Sequence, residues 1–525
     1  MKSFLVLATV LAVALPNRGT RTPILPFEDP RSLAPQTKID RLVVKKLKQL
    51  GILPAPLCSD AVFVRRVYLD AIGTLPTVDE TKKFLANQNP KKRALLIDHL
   101  LERKEFADYW AAKWCDVLRV KSEYPINLWP NSVQSYHRWI RTCIKDNMPY
   151  DQFVREMLTA SGSNFNVPPV NFYRAVQSRE PTAVAQAVAI SFMGVRPEGW
   201  PKERWAEMSV FFARIGYKTT EQWKEEIVLF DPGKGSGQSV ADGPVEAVLP
   251  DGASIRLLPG QDPRKAFADW LVGPKNSWFA RAAVNRIWAW LLGRGIIHEP
   301  DDIRPNNPAS NPELLAYLEH ELVAAHYDLK HVFRLILNSN TYQLSSIPNA
   351  DDPQGDANFA CYRPRRLEAE VLIDAICQVT DTTEKYSSPI PEPFTFIPEG
   401  QRSIELADGS ISSSFLDMFG RPARDTGLES ERNNRPTAAQ ELHMLNSSHI
   451  RRKIEESPKL RELLQSKRKP REIVDELYLT ILSRPATMDE LKVLRDYAQA
   501  GQKGRRPMMD LIWALFNSAE FLYRH

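Results

Sequence analysis

Apolar residues recur at helical spacing along most of the chain. The stretch KEFADYWAAKWCDVL carries large apolar residues four positions apart, at Phe106, Trp110, Trp114 and Leu118. Similar patterns predict helices over 37–50, 78–87, 91–102, 132–146, 150–159 and 182–194, and in several stretches after residue 262. Residues 437–525 form a further helical group, whereas the serine, proline and glycine content of 381–436 predicts irregular structure. The chain is therefore expected to be mainly α.

Residues 233–262 depart from this pattern. The sequence DPGKGSGQSVADG, which enters this stretch, is typical of a flexible linker, and Asp251-Gly252 between alternating apolar residues predicts a β-hairpin. A chain of 525 residues is also too long for one hydrophobic core. We therefore expect two helical domains, 37–232 and 263–525, joined by a linker with a short β-hairpin.

The N-terminus has the pattern of an export signal. Lys2 precedes an apolar run from Phe4 to Leu15, which suits a secretory signal peptide over 1–15 and is shorter than a membrane span. An uncleaved N-terminal anchor is the alternative, and the proline-rich residues 16–36 are expected to form an extended leader. No later apolar run reaches spanning length, so we expect a secreted, periplasmic or envelope-associated protein.

Charge and cysteine content exclude several classes of function. The 69 basic and 64 acidic residues give a net charge of +5 and are interspersed, so no nucleic-acid groove is predicted. The five cysteines include no C-x-x-C pair, which excludes the usual haem-attachment and thioredoxin-like motifs. Cys115 and Cys377 lie in helical apolar patterns and are expected to be buried thiols. We predict no cofactor.

Local motifs for hydrolysis and phosphate binding fail on spacing. In HELVAAH, the six-residue step from His320 to His326 turns the second histidine away from the face that a zinc protease requires. The glycines of GKGSGQS lead into a hairpin rather than a helix, and no G-x-S-x-G sequence is present. No nucleophile for acyl transfer is predicted.

Two clusters remain as candidates. The stretch HEPDDIRPNNP offers calcium-type ligands at His298, Glu299, Asp301 and Asp302, although a proline-rich turn capped by its own side chains would also explain it. The stretch CYRPRRLEAEVLIDAI places arginines before a helix that carries acidic residues, namely Arg363, Arg365, Arg366, Glu368, Glu370 and Asp374. It suits either structural ion pairs at a helix start or an arginine cluster that faces an anion.

Longer strings resemble a known pair of domains. Residues 63–86 and 109–119 resemble the N-terminal domain of the planctomycete cytochrome C type two family. The domain that usually follows it is the planctomycete surface domain one. The stretches that resemble this second domain are residues 262–318, 362–376, 418–447 and 482–490. The resemblance implies a secreted or envelope-associated protein without an established biochemical activity.

The haem motif of many such proteins is absent from this sequence. Where they carry C-x-x-C-H, this chain reads FMGVRPEGWPKERW, with no cysteine or histidine from 189 to 213, so no covalent haem is expected. Where relatives show C-x-C-E-R, this chain reads LESER at 428–432. We interpret RPEGWP as a connector between packed helices, with Trp200 as its anchor.

Three functions stay open. The leading hypothesis is a non-catalytic binding or assembly protein without haem, whose partners are envelope proteins or extracellular glycans. The second is a hydrolase or lyase for extracellular polysaccharide that uses Asp301 with Asp302 or Glu368 with Asp374, since acid–base cleavage needs two carboxyl groups across a cleft. The third is electron transfer with noncovalent haem or metal held by His298, His326 or His331.

Polar residues that match the family strings are the remaining candidates for a binding site. They are Arg65, Arg66, Asp70, Asp116, Asn285, Arg286, Arg365, Arg366 and Arg432, together with Asp301 and Asp302. Each is also open to explanation as a buried structural pair, because polar groups inside a helical core need partners.

Overall fold

The computed structural model describes residues 22–29, 34–123, 128–234, 244–499 and 506–525. The predicted signal segment lies outside these residues, as do residues 16–21 and 30–33 of the predicted leader and residues 235–243 of the predicted linker. Within the described ranges, no helix is long and apolar enough to cross a membrane.

Helices dominate the first predicted domain, as the apolar spacing predicts. They are α1 Lys38–Gln49, α2 Asp60–Ile72, α3 Val78–Ala86, α4 Lys92–Leu101, α5 Lys104–Val117, α6 Pro130–Lys145, α7 Tyr150–Thr159, α8 Asn171–Arg174, α9 Pro181–Val188 and α10 Lys202–Ser209. Side-chain caps fix some of the starts: Thr37 and Asp40 form a capping box on α1, and Ser59 caps α2.

The second predicted domain is also helical. Its helices are α11 Pro263–Leu271, α12 Phe279–Leu292, α13 Pro312–Ala324, α14 Leu329–Leu337, α15 Pro353–Ala357, α16 Ala369–Thr380, α17 Ser414–Met418, α18 Ala438–Asn446, α19 Ser448–Glu455, α20 Pro458–Gln465, α21 Pro470–Leu482, α22 Met488–Gln499, α23 Arg506–Phe516 and α24 Ala519–Leu522. Residues 381–436 are mostly irregular, as predicted. The mainly α fold class is confirmed.

Short antiparallel strands complete the fold. They are β1 Gly162–Ser163, β2 Ile215–Thr219, β3 Glu226–Phe230, β4 Val245–Val248, β5 Ser254–Leu257, β6 Arg365–Arg366 and β7 Tyr523–Arg524. Strands β4 and β5 form the hairpin predicted at Asp251-Gly252. Strands β6 and β7 pair the middle of the second domain with the end of the chain.

The sheet of β1, β3 and β2, in that order, was not predicted. The apolar stripe after RPEGWP suggests one helix through Ile215, but α10 ends at Ser209 and Ile215 begins β2. The sequences IGYKT and EIVLF are rich in β-branched and aromatic residues, which favour strands. The buried side chain of Ile215 therefore faces the core from a strand instead of a helix.

The RPEGWP segment is a connector, as predicted. Pro197–Gly199 make a single 3₁₀ turn between a buried π-helical segment, Ala189–Met193, and α10. The ring centroid of Trp200 lies 4.8 Å from that of Trp205 and 5.9 Å from that of Trp278. Trp200 is thus packed between the connector and the start of α12, in the anchoring role expected for it.

The aromatic stripe of α5 packs against helices of the second predicted domain. The Trp110 ring centroid lies 5.4 Å from that of Trp290 on α12 and 4.4 Å from that of Phe333 on α14. Buried apolar residues from both predicted domains belong to one continuous cluster. The boundary between two domains at 233–262 stays a prediction from the sequence. Residues before and after this boundary pack extensively against each other.

All five cysteines lie among the described residues and are free thiols. Cys115 is buried, as predicted, and Cys377 is only half-buried. Burial raises the pKa of the Cys115 thiol to about 12, so this sulfur is held neutral.

Gly194 gives a test of the packing around the connector. Its φ is +64°, and an added Cβ would lie 2.9 Å from the Ile303 Cδ1 atom and 3.0 Å from the Pro300 carbonyl oxygen. We expect Gly194→Ala to lower the free energy of unfolding by about 2–4 kcal/mol, since backbone strain and overpacking add. Gly51→Ala is the matched control, because Gly51 has φ +69° with nothing within 4 Å of the added atom. Equal losses in denaturant unfolding would contradict the packing argument.

Candidate functional site

We call the predicted domains 37–232 and 263–525 the first and second regions. Several predicted residues of the second region line one pocket, which we call the charged pocket. It has a volume of about 700 Å³ and lies between the end of α12, strands β6 and β7, and residues 429–436. Its lining includes the predicted residues His298, Glu299, Arg363, Arg365, Arg366, Glu368 and Arg432.

Glu368 is the buried carboxylate of this pocket. It forms an ion pair with Lys113 of α5, accepts a hydrogen bond from the Tyr109 hydroxyl at 3.0 Å, and lies 3.5 Å from an Arg524 nitrogen. Burial disfavours the charged carboxylate, but the positive charges of Lys113, Arg524 and Arg432 outweigh it and hold the pKa of Glu368 well below its usual range. Glu368 is therefore ionised at neutral pH.

Glu429 presents a second carboxyl group with the opposite behaviour. Its Oε2 atom accepts a hydrogen bond from the Trp290 Nε1 atom at 2.8 Å. Burial raises the pKa of Glu429, and the nearby charge of Asp301 acts in the same direction. The pocket thus holds two carboxyl groups whose pKa values are shifted apart.

Arg432 lies between acidic partners beneath the pocket. Its guanidinium contacts Glu370 on α16 and Asp116 on α5, each at 2.7 Å. Asp116 also pairs with Arg424 at 2.9 Å. The two carboxylates hold the pKa of Arg432 well above its usual range despite burial. The predicted residues Asp116 and Arg432 therefore connect the two sequence regions.

Asp70 forms a second buried link between the regions. One carboxylate oxygen lies 2.8 Å from Arg365 and 3.3 Å from Arg524, and the other accepts hydrogen bonds from the Tyr342 and Tyr362 hydroxyls, each at 2.8 Å. Every partner comes from the second region. Asp70 therefore orients Arg365 at the pocket wall without lining the pocket itself.

Arg65 and Arg66 bind backbone carbonyl groups of the second region. Arg65 donates to Ile481 at 2.7 Å and to Phe521 at 3.1 Å. Arg66 donates to the backbone oxygens of Tyr342, Leu344 and His525 at 2.7, 2.8 and 2.7 Å. These two predicted candidates are structural, because they satisfy buried carbonyl groups and do not line the pocket.

Three further candidates, Asn285, Arg286 and Asp301, also stabilise the fold. Asn285 exchanges two hydrogen bonds of 2.9 Å with the backbone of Ile297. Arg286 pairs with Asp301 at 2.6 Å and donates to the carbonyl oxygens of residues 190 and 191, which fixes the π-helical segment. Asp301 accepts in addition from the Glu429 backbone nitrogen at 2.6 Å and so positions the pocket wall.

Arg366 and Asp374, which belong to one cluster in the sequence, lie in different places in the structure. Arg366 lines the pocket, contacts the Gln440 side chain, and lies 4.8 Å from the Phe419 ring centroid. Asp374 lies away from the pocket and accepts the backbone N–H groups of Ser403 and Ile404 at 2.8 and 3.2 Å. Burial raises the pKa of Asp374 to about 6. The structure therefore does not bring Glu368 and Asp374 together as a catalytic pair.

The acidic residues of the HEPDDIRPNNP segment likewise do not form one site. Glu299 pairs with Arg196 at 2.5 Å, Asp302 pairs with Arg304 at 3.0 Å, and Asp301 faces the core. In the described part of the chain, no three histidine, cysteine or acidic residues are grouped to hold a metal ion. The pairing of Asp301 with Asp302 across a cleft is not formed either.

The histidines do not fit a haem site. Of the nine histidines, only His298 lines the charged pocket. His326 is exposed after α13, and His331 contacts Glu321 at 3.1 Å. Two axial ligands that face one cavity are not provided by these residues, so we derive no electron-transfer step.

Sequence reasoning missed five important residues of the site, which are Lys113, Arg294, Glu429, Arg435 and Arg524. Lys113 had a detectable signal, because it lies three residues after Trp110 and so near the apolar face of its helix. Glu429 lies in the LESER segment that departs from the family pattern. Arg524 reaches the site only through the pairing of β6 with β7, which no local pattern indicates.

Fold and site together define a mainly α protein with a charged pocket in its second region. Residues 38–197 match the family model PSCyt2, and residues 263–498 match PSD1; both are described as proteins of unknown function (DUF1549 and DUF1553). The chain belongs to the proteins that carry these two domains in this order, which confirms the predicted resemblance. No curated protein and no solved structure matches it.

The ion pair of Lys113 with Glu368 can be tested by removing one charge. We expect Lys113→Met to lower the free energy of unfolding by about 3–5 kcal/mol, because it leaves a buried carboxylate with weaker compensation. Adding Glu368→Gln should restore part of the loss. Lys45→Met breaks an exposed pair with Glu313 and should leave the free energy of unfolding nearly unchanged. Denaturant unfolding measures all three, and equal losses for the two lysine variants would refute the buried pairing.

Proposed function

We propose that the charged pocket binds an anionic ligand, a carboxylated or sulfated glycan of the cell envelope or its surroundings. The observation that carries this proposal is the excess of arginine in the pocket lining. The lining arginines are Arg294, Arg363, Arg365, Arg366, Arg432, Arg435 and Arg524, and the lining acidic residues are Glu299, Glu368 and Glu429. Seven guanidinium groups thus face three carboxyl groups.

The balance at neutral pH favours cations further. The negative charge of Glu368 is already balanced by its ion pair with Lys113. Arg294 and Arg435 have no ion-pair partner among the residues that the structure describes, and the Arg294 Nε atom is buried without a hydrogen bond. These two arginines are free to bind a carboxylate or sulfate, the anions that a planar guanidinium fits best.

The size and position of the pocket suit part of a polymer. A volume of about 700 Å³ is within the range of pockets for small molecules and accommodates one or two sugar rings. The export pattern at the N-terminus places such a ligand outside the cytoplasm. The proposal is therefore an extracytoplasmic binding protein whose scaffold is held by buried ion pairs.

Removing the two free arginines tests the proposal. We expect the double variant Arg294→Gln and Arg435→Gln to bind polygalacturonate and dextran sulfate at least about tenfold more weakly, since a hydrogen bond to a charged group contributes about 1.5–3 kcal/mol. Isothermal titration calorimetry measures the affinity. The methyl ester of polygalacturonate and uncharged dextran report how far binding depends on charge.

The double variant Arg468→Gln and Arg471→Gln is the control, because it removes two exposed arginines outside the pocket. It has the same net charge as the pocket variant and should bind like the wild type. If both double variants lose the same affinity, or if the wild type binds neither polyanion, the proposed anion site is wrong.

A second candidate function, polysaccharide hydrolysis, is favoured by the shifted pKa values of Glu368 and Glu429. A glycosidase needs one protonated and one ionised carboxyl group. Glu429 would give its proton to the leaving oxygen as the glycosidic bond breaks. Glu368 would take a proton from the water that attacks the anomeric carbon. This pair replaces the two pairs that the sequence suggested.

Glu429→Gln tests this candidate. We expect it to lower the release of reducing ends from polygalacturonate by about a hundredfold or more, because it removes the transferable proton. Wild-type release should fall as pH rises through the raised pKa of Glu429, since the acid must be protonated. Glu441→Gln, an exposed change on α18, should leave release unaltered. A wild type that binds the polymer but releases no ends would leave only the binding function.

A further inference from the structure

Three aromatic rings from distant parts of the chain meet at the surface and form what we call the aromatic platform. Trp129 precedes α6, Trp223 lies in the turn between β2 and β3, and Phe394 belongs to the irregular segment after α16. The Trp129 ring centroid lies 4.6 Å from that of Trp223 and 5.3 Å from that of Phe394, and the last two are 5.6 Å apart. None of the three lines the charged pocket.

The platform is unusually open for such large rings. Trp223 is 61% exposed and Phe394 is 46% exposed, and the neighbouring Phe396 is 69% exposed. Trp223 and Phe394 contact each other although both are exposed, with ring centroids 5.6 Å apart. Mutual packing fixes the orientation of the rings and leaves their outer surfaces to solvent.

The exposed area limits what can bind. An aromatic side chain has an area of about 150–250 Å², so the exposed parts of these rings amount to roughly 300 Å². A stable protein partner needs about 800 Å² on each side. The rings alone therefore supply less than half of such an interface, and their area matches one or two rings of a small or repeating ligand.

One cation accompanies the rings. The Lys224 Nζ atom lies 5.5 Å from the Trp129 ring centroid and 5.6 Å from that of Trp223. Lys224 has no ion-pair partner in the described ranges and is exposed. A single lysine does not make the basic groove that a nucleic-acid strand requires along its backbone.

We propose that the aromatic platform is a second glycan-binding site, where a sugar ring stacks its C–H face on Trp223 and Lys224 pairs with the carboxylate or sulfate of that sugar. Sugar rings have one apolar face that suits an aromatic surface, while their hydroxyl groups stay in water. The proposal rests on the glycan ligand of the proposed function. It adds a site outside the charged pocket, and this second site holds another part of the same polysaccharide chain.

The test separates the two sites by the length and charge of the probe. We expect Trp223→Ala to weaken binding of polygalacturonate and of its methyl ester about tenfold, because stacking does not depend on the charge of the sugar. Lys224→Gln should weaken only the charged polymer, by about fivefold. Phe394→Ala should act like Trp223→Ala and serves as the second variant should either fold poorly. Trp513→Ala, which removes a 40% exposed tryptophan on α23, is the control and should bind normally.

Galacturonate monosaccharide distinguishes failure of the platform from failure of the pocket. It should bind Trp223→Ala through the charged pocket with unchanged affinity, and it should bind the double variant of Arg294 and Arg435 at least about tenfold more weakly. Unchanged binding of both polymers by Trp223→Ala and Phe394→Ala would overturn the platform proposal and leave the pocket intact. Tighter binding of oligothymidylate than of polygalacturonate, lost in Trp223→Ala, would overturn it in favour of nucleic acid.

Discussion

The burial of charged side chains between the two sequence regions is the constraint on which the rest of the structure depends. Removing a charge from water is costly unless a partner replaces the lost hydration. Asp70 finds its partners only in the second region, and Arg65 and Arg66 satisfy carbonyl groups there. Separating the regions would leave these groups buried without partners or expose the aromatic cluster around Trp110. The regions therefore fold against each other, whatever their boundaries in the sequence.

The same constraint produces the charged pocket. Most of its arginines form ion pairs or hydrogen bonds with residues beneath the pocket. Arg432, for example, pairs with Asp116 and Glu370. Arg294 and Arg435 also line the pocket and have no ion-pair partner among the described residues. The buried network also shifts the pKa values of the two carboxyl groups apart, because nearby cations outweigh burial at Glu368, whereas burial and the charge of Asp301 raise the pKa of Glu429. A network built to hold the scaffold thus leaves a surface with excess positive charge.

The family name suggests redox chemistry, but the side chains of this protein favour another use of the scaffold. The segment that holds a haem motif in many relatives is here a turn packed by Trp200, and Arg286 fixes the helix before it. The LESER segment contributes Glu429 and Arg432 to the pocket. The anionic ligand remains our proposal, and it rests on the charged groups of the pocket lining.

The sequence by itself determined the helical class, the hairpin at Asp251-Gly252, the connector at RPEGWP and the pool of polar candidates, because these depend on local periodicity, turn chemistry and residue type. It did not predict the sheet at Ile215, since the apolar residues there fit helical spacing as well as a strand. Only the tertiary structure sorted the candidates, placing Arg366 and Glu368 in the pocket but Arg65 and Asp374 on the scaffold. It also added Glu429 and Arg524, because a pocket assembled from segments hundreds of residues apart depends on long-range pairing such as that of β6 with β7.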